Sequence, residues 1–177
     1  MPIGLPDNLV AIHPYSEEWP RLFDEERQRL RAAIGDYVLD IQHIGSTSVP
    51  GLDAKPIIDI GVAVANFEET IVCVEPLEQL GYVYHGENGI PRRHFFTKGA
   101  PRTHNLHMNE LNNHDWTITT RFRDYLRGHP DAARAYADLK RELAIRHQHD
   151  REAYQDGKSQ LIQQILKLAL AEADLKS

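Results

Sequence analysis

At 177 residues, 41% hydrophobic and 26% charged, the chain has the size and composition of one globular domain that buries about 70% of the surface its unfolded form would expose, which excludes disorder and fibrous repeats. Twenty Lys and Arg against 26 Asp and Glu leave a net charge of -6, which argues against wide coverage of nucleic acid or an anionic membrane. The lone cysteine, Cys73, and the absence from residues 1–10 of a basic start or a long apolar run exclude a disulfide and a thiolate metal cage and point to a cytoplasmic protein outside the membrane.

A proline-bearing lead (Pro2, Pro6, Pro14) reaches Ser16, placed to cap a helix that opens at Glu17-Glu18 and carries Trp19, Leu22, Phe23, Leu30 and Ile34 at helical spacing before Gly35. A strand is expected from Tyr37 to Ile44 with Leu39, Ile41 and His43 on one face, then a turn of small residues from Gly45 to Gly51. A second strand, Pro56 to Ala65, puts Ile58, Ile60 and Val62 on one face and Ile57, Asp59 and Gly61 on the other. Asn66 opens a helix that ends near Gly81. Short strands follow at Tyr82–Tyr84, His94–Thr97 and Thr103–Leu111, the last two joined by a turn at Lys98–Pro101. The rest is helical: Trp116–Arg127, Pro130 to about His149, and Asp150 or Gly157 to Ala173.

The chemistry concentrates at Gly45-Ser46 and Asp59. Glycine lets the backbone approach a bound group, amides and the hydroxyls of Ser46, Thr47 and Ser48 can donate to phosphate oxygens, and a carboxylate one strand away can hold a bridging divalent cation. The plainer reading is a capped connection beside an acid paired with a base such as Lys55. Against it stands the cost of a carboxylate in an apolar strand. Ser46 fits no nucleophile-elbow pattern.

The run His43-Ile44-Gly45-Ser46-Thr47-Ser48-Val49-Pro50-Gly51-Leu52, followed by Lys55-Pro56-Ile57-Ile58-Asp59-Ile60, closely resembles the signature of the GrpB-like family. Pro14-Tyr15, Glu18-Trp19-Pro20, residues 102–107, residues 122–127, Tyr154 and Lys158 extend the likeness over nearly the whole chain. The resemblance implies the nucleotidyltransferase (polymerase-beta-like) superfamily: an α+β fold with a mixed or antiparallel sheet flanked by helices. It divides a single domain, 1–177, into a core over 1–112 and a helical part over 113–177. In that superfamily a Gly-Ser turn precedes a strand bearing Asp-x-Asp or Asp-x-Glu, and a third acid lies on a neighbouring strand. The resemblance also points to Arg123 and Lys158 as ligand contacts, and related domains occur fused to dephospho-CoA kinase.

The departures matter as much. Gly61 stands where the second acid would be, thin support for a pair of Mg2+ or Mn2+ ions. Where the third acid is expected, the sequence has His104 and His107, and imidazole prefers Zn2+. A mixed site of Asp59, His43, His104 and His107 is one reading, although residues three apart on a flat strand face opposite sides. His107 is favoured over His104, because Leu106-His107-Met108 repeats the alternation of Ile58-Asp59-Ile60, and Asp59 and His107 are the catalytic candidates.

Arg92, Arg93, Lys98 and Arg102 lie in an acid-free interval suited to a small anionic or phosphorylated ligand, with Arg forks making bidentate contacts. A solvated hairpin is the alternative. Without aromatic interleaving, nucleic acid is disfavoured. Arg121, Asp124, Tyr136, Lys140, Tyr154 and Lys158 could close one side of the site, most of the helical tail being surface or helix-helix contacts. The expected function is binding of a nucleotide or other phosphorylated small molecule, with possible transfer of a nucleotidyl or phosphoryl group. The alternatives are a catalytically degenerate ligand-binding or interaction module and a His/Asp metal-dependent hydrolase.

Overall fold

Alternation along the strands decides which residues meet, because each strand sends successive side chains to opposite sides of one five-stranded sheet. The computed structural model describes residues 3–175; Pro2 of the proline-bearing lead lies outside them. The strands are β1 (Val38–Ile44), β2 (Ile58–Val64), β3 (Tyr82–Tyr84), β4 (Arg93–Lys98) and β5 (His104–Glu110), in the spatial order β1-β2-β5-β4-β3. β2 and β5 run parallel and the other neighbours antiparallel, so the sheet is mixed. The β4–β5 hairpin turns at residues 99–103, with Lys98 opposite His104.

Helix α1 (Glu18–Ile34) lies on one face of the sheet. Trp19, Phe23, Leu30 and Ile34 pack there against Ile58, Ile60, Val62, Leu106, Met108 and Phe96. Burying each of the larger aliphatic side chains contributes about 1.5–3 kcal/mol. Glu26 occupies the same helical stripe and is 0% exposed. It is held by Tyr82 Oη (2.9 Å), Lys98 Nζ (2.7 Å) and Arg29 Nη1 (2.8 Å), which satisfy a charge that would otherwise be costly to bury. Ser16 Oγ accepts from the Glu18 amide at 3.3 Å, as its position at the head of the helix requires.

Three expectations are adjusted. Leu39 is 52% exposed rather than sharing the buried face of Ile41 and His43, because the β1–β2 register shifts between Val38 and Asp40 and a bulge turns it outward. The helix expected after Asn66 is split into a 3-10 segment, Glu69–Cys73, and a short α2, Val74–Gln79. Asn66 Oδ1 caps its start by accepting from the amides of Glu68 and Glu69. The last helix starts after Asp150 and runs through Gly157.

Helices α3 (His114–Gly128), α4 (Pro130–Arg146) and α5 (Arg151–Asp174) follow. Asn113 caps α3 by accepting from the Trp116 amide (2.8 Å), and Asp150 caps α5 by accepting from the Ala153 amide (3.0 Å). Their apolar sides pack with Val49 and Leu52 of the small-residue turn around Leu126, Tyr136, Ala137 and Ile165. A Cβ at residue 157 would stand 2.6 Å from Leu143 Cδ2, so glycine there lets α5 press against α4. No described helix is long and apolar enough to cross a membrane.

Candidate functional site

Between the second face of the sheet and helices α3 to α5 opens a cleft of about 580 Å³, well inside the usual size range for small-molecule sites. Its floor is set by strand register. Asp59, Asn105 and His107 belong to the face opposite Ile58, Ile60, Leu106 and Met108, and Asp59 sits directly beside Asn105. Asn105 Nδ2 donates to Asp59 Oδ1 at 2.8 Å, while Asn105 Oδ1 accepts from Arg102 Nη1 at 3.4 Å. The two contacts fix which way the amide points.

Gly45 ends β1 with φ +68°, a backbone region that glycine enters without strain. Here glycine is also required sterically, since a Cβ would lie 2.9 Å from Asp59 Cγ. The following 3-10 turn, Ser46–Ser48, uses the amides of Ser48 and Val49 for its own bonds. Ser48 Oγ donates to the Gly45 carbonyl (2.6 Å), Thr47 Oγ1 is hydrogen-bonded with His43 Nε2 (2.9 Å), and the Ser46 side chain meets the Tyr136 hydroxyl.

The walls are basic. Arg151, Tyr154 and Lys158 share one side of α5 at positions i, i+3 and i+7, and Tyr136 and Lys140 share one side of α4 at i and i+4. Lys55 and Lys158 carry their ammonium groups 5.3 and 4.4 Å from the Tyr154 ring centroid, and Lys140 sits 4.7 Å from that of Tyr136. Six basic side chains line the cleft against two acids, Asp59 and Asp7, and Asp7 is already shared by Arg102 (2.9 Å) and Arg151 (3.5 Å).

Burial shifts these groups. Lys158, 7% exposed, is lowered to about 7 by desolvation and the like charge of Lys55, against a smaller opposing pull from Asp59. Lys140, 2% exposed, is lowered to about 7 by desolvation and the charge of Lys158, although its ammonium donates to the Asp53 carbonyl. Lys55 falls to about 8 through burial and the nearby Arg151. The Asp59 carboxyl is raised by burial, with the Asn105 hydrogen bond and Lys55 pulling the other way. Among the described residues neither the Lys55 nor the Lys158 ammonium group has an ion pair or hydrogen bond, each resting instead on the Tyr154 ring. The cleft therefore presents cationic groups that folding has desolvated without giving them carboxylate partners.

Of the residues expected from the sequence, Gly45, Ser46, Thr47, Lys55, Asp59, Arg93, Arg102, His107 and Lys158 line this cleft. Five others do not. His43 and His104 belong to the α1 face, where His43 stacks on Phe23 (4.7 Å) and His104 is hydrogen-bonded with Thr103 Oγ1 (2.9 Å). A ligand set joining them to Asp59 and His107 does not assemble, because the sheet lies between. Among the described residues no three His, Cys, Asp or Glu converge on a common metal position.

Arg92 is turned away by Glu68 (2.6 Å) and Glu110 (2.8 Å). Arg123 is buried behind β1, donating to Gln42 Oε1 (2.6 Å) and the His43 carbonyl (3.0 Å), so it ties α3 to the sheet. Ser48 spends its hydroxyl on the Gly45 carbonyl.

The site adds residues the sequence did not single out. Asn105 lies in the family-like run 102–107, but its role appears only through its register with Asp59. Arg151 could have been read from its helical spacing with Lys158.

Position 61 bears on whether a pair of metal ions would fit. A Cβ on Gly61 would stand 3.2 Å from Trp116 Cζ3 and 3.3 Å from Ile44 Cγ2, so the indole of α3 covers the place of a second acid. Asn105 and His107, the β5 neighbours of Asp59 and Gly61, supply no carboxylate. The donor set therefore does not fit a pair of Mg2+ or Mn2+ ions, which need several anionic oxygens close together.

A family model described as GrpB protein matches residues 9–168. A UPF0157 protein of Pseudomonas aeruginosa is 44% identical over 93% of this chain and 69% of its own length. YqkA of Bacillus subtilis, another UPF0157 protein, is 43% identical over 89% of this chain, which spans 46% of that longer protein. The crystal structure of GrpB from Enterococcus faecalis superposes with a TM-score of 0.87 at 37% identity, covering 92% of this chain and 99% of that one. The Cid1 poly(U) polymerase with MgGTP bound aligns with a TM-score of 0.52 and 16% identity over 77% of this chain and 43% of that one. That likeness shows a nucleotidyltransferase-like fold.

Proposed function

The chain belongs to the GrpB family, and from that premise we propose that its cleft binds a phosphorylated small molecule of the nucleotide class, held by lysine and arginine in place of a metal pair. The observation that carries this reading is the set of desolvated cations, Lys55, Lys140, Lys158 and Arg151, gathered round one carboxylate. Phosphate oxygens would supply the partners that Lys55 and Lys158 lack, at about 1.5–3 kcal/mol for each charged hydrogen bond. The Gly45 turn brings backbone to the same place. The likeness to a polymerase with MgGTP bound agrees with the ligand class.

Binding without turnover is the reading the filled position at residue 61 favours over nucleotidyl or phosphoryl transfer. The hydrolase alternative lacks an assembled ligand set. Calorimetric titration with ATP, GTP and CTP, in EDTA and in magnesium, tests the proposal. The expected result is binding by at least one nucleotide that changes less than about threefold on removing metal and weakens at least about tenfold in Lys158→Met. No binding by wild type, or strict dependence on magnesium, would overturn it.

A further inference from the structure

We propose that the cleft holds a second anionic subsite, centred on Arg93, that takes the carboxylate of a small organic acid beside the phosphorylated ligand. This rests on the reading of the rest of the cleft as a phosphate site, and it concerns a different part of the same cavity.

Arg93 begins β4, is 5% exposed and still lines the cleft. A guanidinium buried to that degree normally has a carboxylate, and this one has none within ion-pair distance among the described residues. Its Nη2 donates to the carbonyls of Glu87 (3.2 Å) and Asn88 (3.0 Å), and Nη1 meets His107 Nδ1 at 3.3 Å. Nε is the one buried side-chain nitrogen or oxygen among the described residues without a hydrogen-bond partner. Of the five N–H groups on a guanidinium, two are thus left without an acceptor. The nearest acid to influence it, Asp115, accepts from Asn109 instead (3.1 Å).

The surroundings suit a carboxylate. Phe95 lies under the guanidinium at 4.9 Å, which holds its plane, and burial keeps His107 neutral, with a pKa of about 3, so that it adds no charge. The subsite is separate from the lysine group. The charges that chiefly act on Asp59 are Lys55, Lys158 and Arg151, whereas the acid that acts on Arg93 is Asp115. Along β5 the Arg93 contact is at His107 and the Asp59 contact at Asn105, about 7 Å apart as two strand residues. One planar cation with two N–H groups still unpartnered, on Nε and Nη1, suits a single small carboxylate, whereas several flexible ammonium groups suit a polyphosphate. The two ends of the cleft therefore differ in the anion each prefers.

The test is calorimetry of the full chain with acetate, succinate and L-glutamate, each against its amide (acetamide, succinamide, L-glutamine), with and without saturating ADP. The expected result is that at least one carboxylate binds at least tenfold more tightly than its amide, whether or not ADP is present. Arg93→Gln should remove that preference and leave ADP affinity within about threefold. Arg93→Gln loses backbone contacts and could fail to fold, so Asn88→Asp, at an exposed cleft residue, serves as the second variant. Its carboxylate should compete for the guanidinium and weaken the organic acid at least fivefold.

Failure of all three acids to bind at 50 mM, equal binding of acid and amide, displacement of the acid by ADP, or unchanged acid binding in a folded Arg93→Gln would each overturn the proposal. Absence of binding by ATP, GTP, CTP and ADP in wild type, with carboxylate binding intact, would sink the phosphate reading and leave this subsite standing.

Discussion

Replacing Lys158 by methionine should make the protein more stable and a worse ligand binder at once. The ammonium is lowered from 10.5 to about 7 by burial and by Lys55. At 1.36 kcal/mol per tenfold, holding it charged at pH 6 costs up to about 5 kcal/mol, and substitution of buried ions by apolar groups of similar volume returns about 1–4 kcal/mol in practice. For a chain of this length each kcal/mol moves Tm by about 2–4 °C, so Lys158→Met should melt about 3–10 °C higher at pH 6.

The gain must shrink as pH rises. Folding lowers this lysine's pKa, so between about pH 7 and pH 10 the unfolded chain retains a proton that the folded chain has released. Wild type therefore gains up to about 1.4 kcal/mol per pH unit that the variant does not, and by about pH 9 the two should melt together. Scanning calorimetry at pH 6, 7.5 and 9, beside ATP titrations at pH 7, reads both effects. A variant that is less stable than wild type at pH 6, or that is more stable but binds ATP undiminished, would refute the claim that this lysine is kept strained for an anion.

Other consequences follow from the same packing. Gly61→Asp should destabilise by about 3 kcal/mol or more, since side chain and charge meet Trp116 and Ile44 in a packed site; urea unfolding would show it, and Trp116→Ala in the same chain should recover part of the loss. Arg123→Met should cost about 2–4 kcal/mol by stranding its acceptors on β1 while leaving nucleotide affinity within about threefold, whereas a large loss of affinity would restore Arg123 as a ligand contact. Acid should unfold the protein early. His43 and His107 are lowered to about 3 and His104 to about 4, each chiefly by burial. Below about pH 6.5 the unfolded chain takes up protons that these rings refuse, and stability falls toward pH 4. A Tm flat from pH 7 to pH 4.5 would contradict that.

The Gly-Ser turn and the acid on the next strand were legible in the chain order, because glycine, alternation and a carboxylate among isoleucines are local signals, whereas the missing second acid was legible only against the pattern that the family resemblance implies. Helical spacing likewise put Trp19, Phe23 and Leu30 on one stripe. It could not admit Glu26 to that stripe, since only Tyr82, Lys98 and Arg29, brought from afar, make a buried carboxylate tolerable there.

The site was settled by the sheet. Parallel pairing of β2 with β5 set Asn105 beside Asp59 and turned His104 to the far face, which dissolved the histidine metal set that one-dimensional spacing had left open. Residues 136–158 meet residues 45–59 only because the helices return over the sheet, so their lysines acquire meaning from burial. Sequence thus determined which groups could do chemistry; tertiary structure decided which of them lose water together, and that shared desolvation is the ground on which we propose the cleft as a receptor for anions.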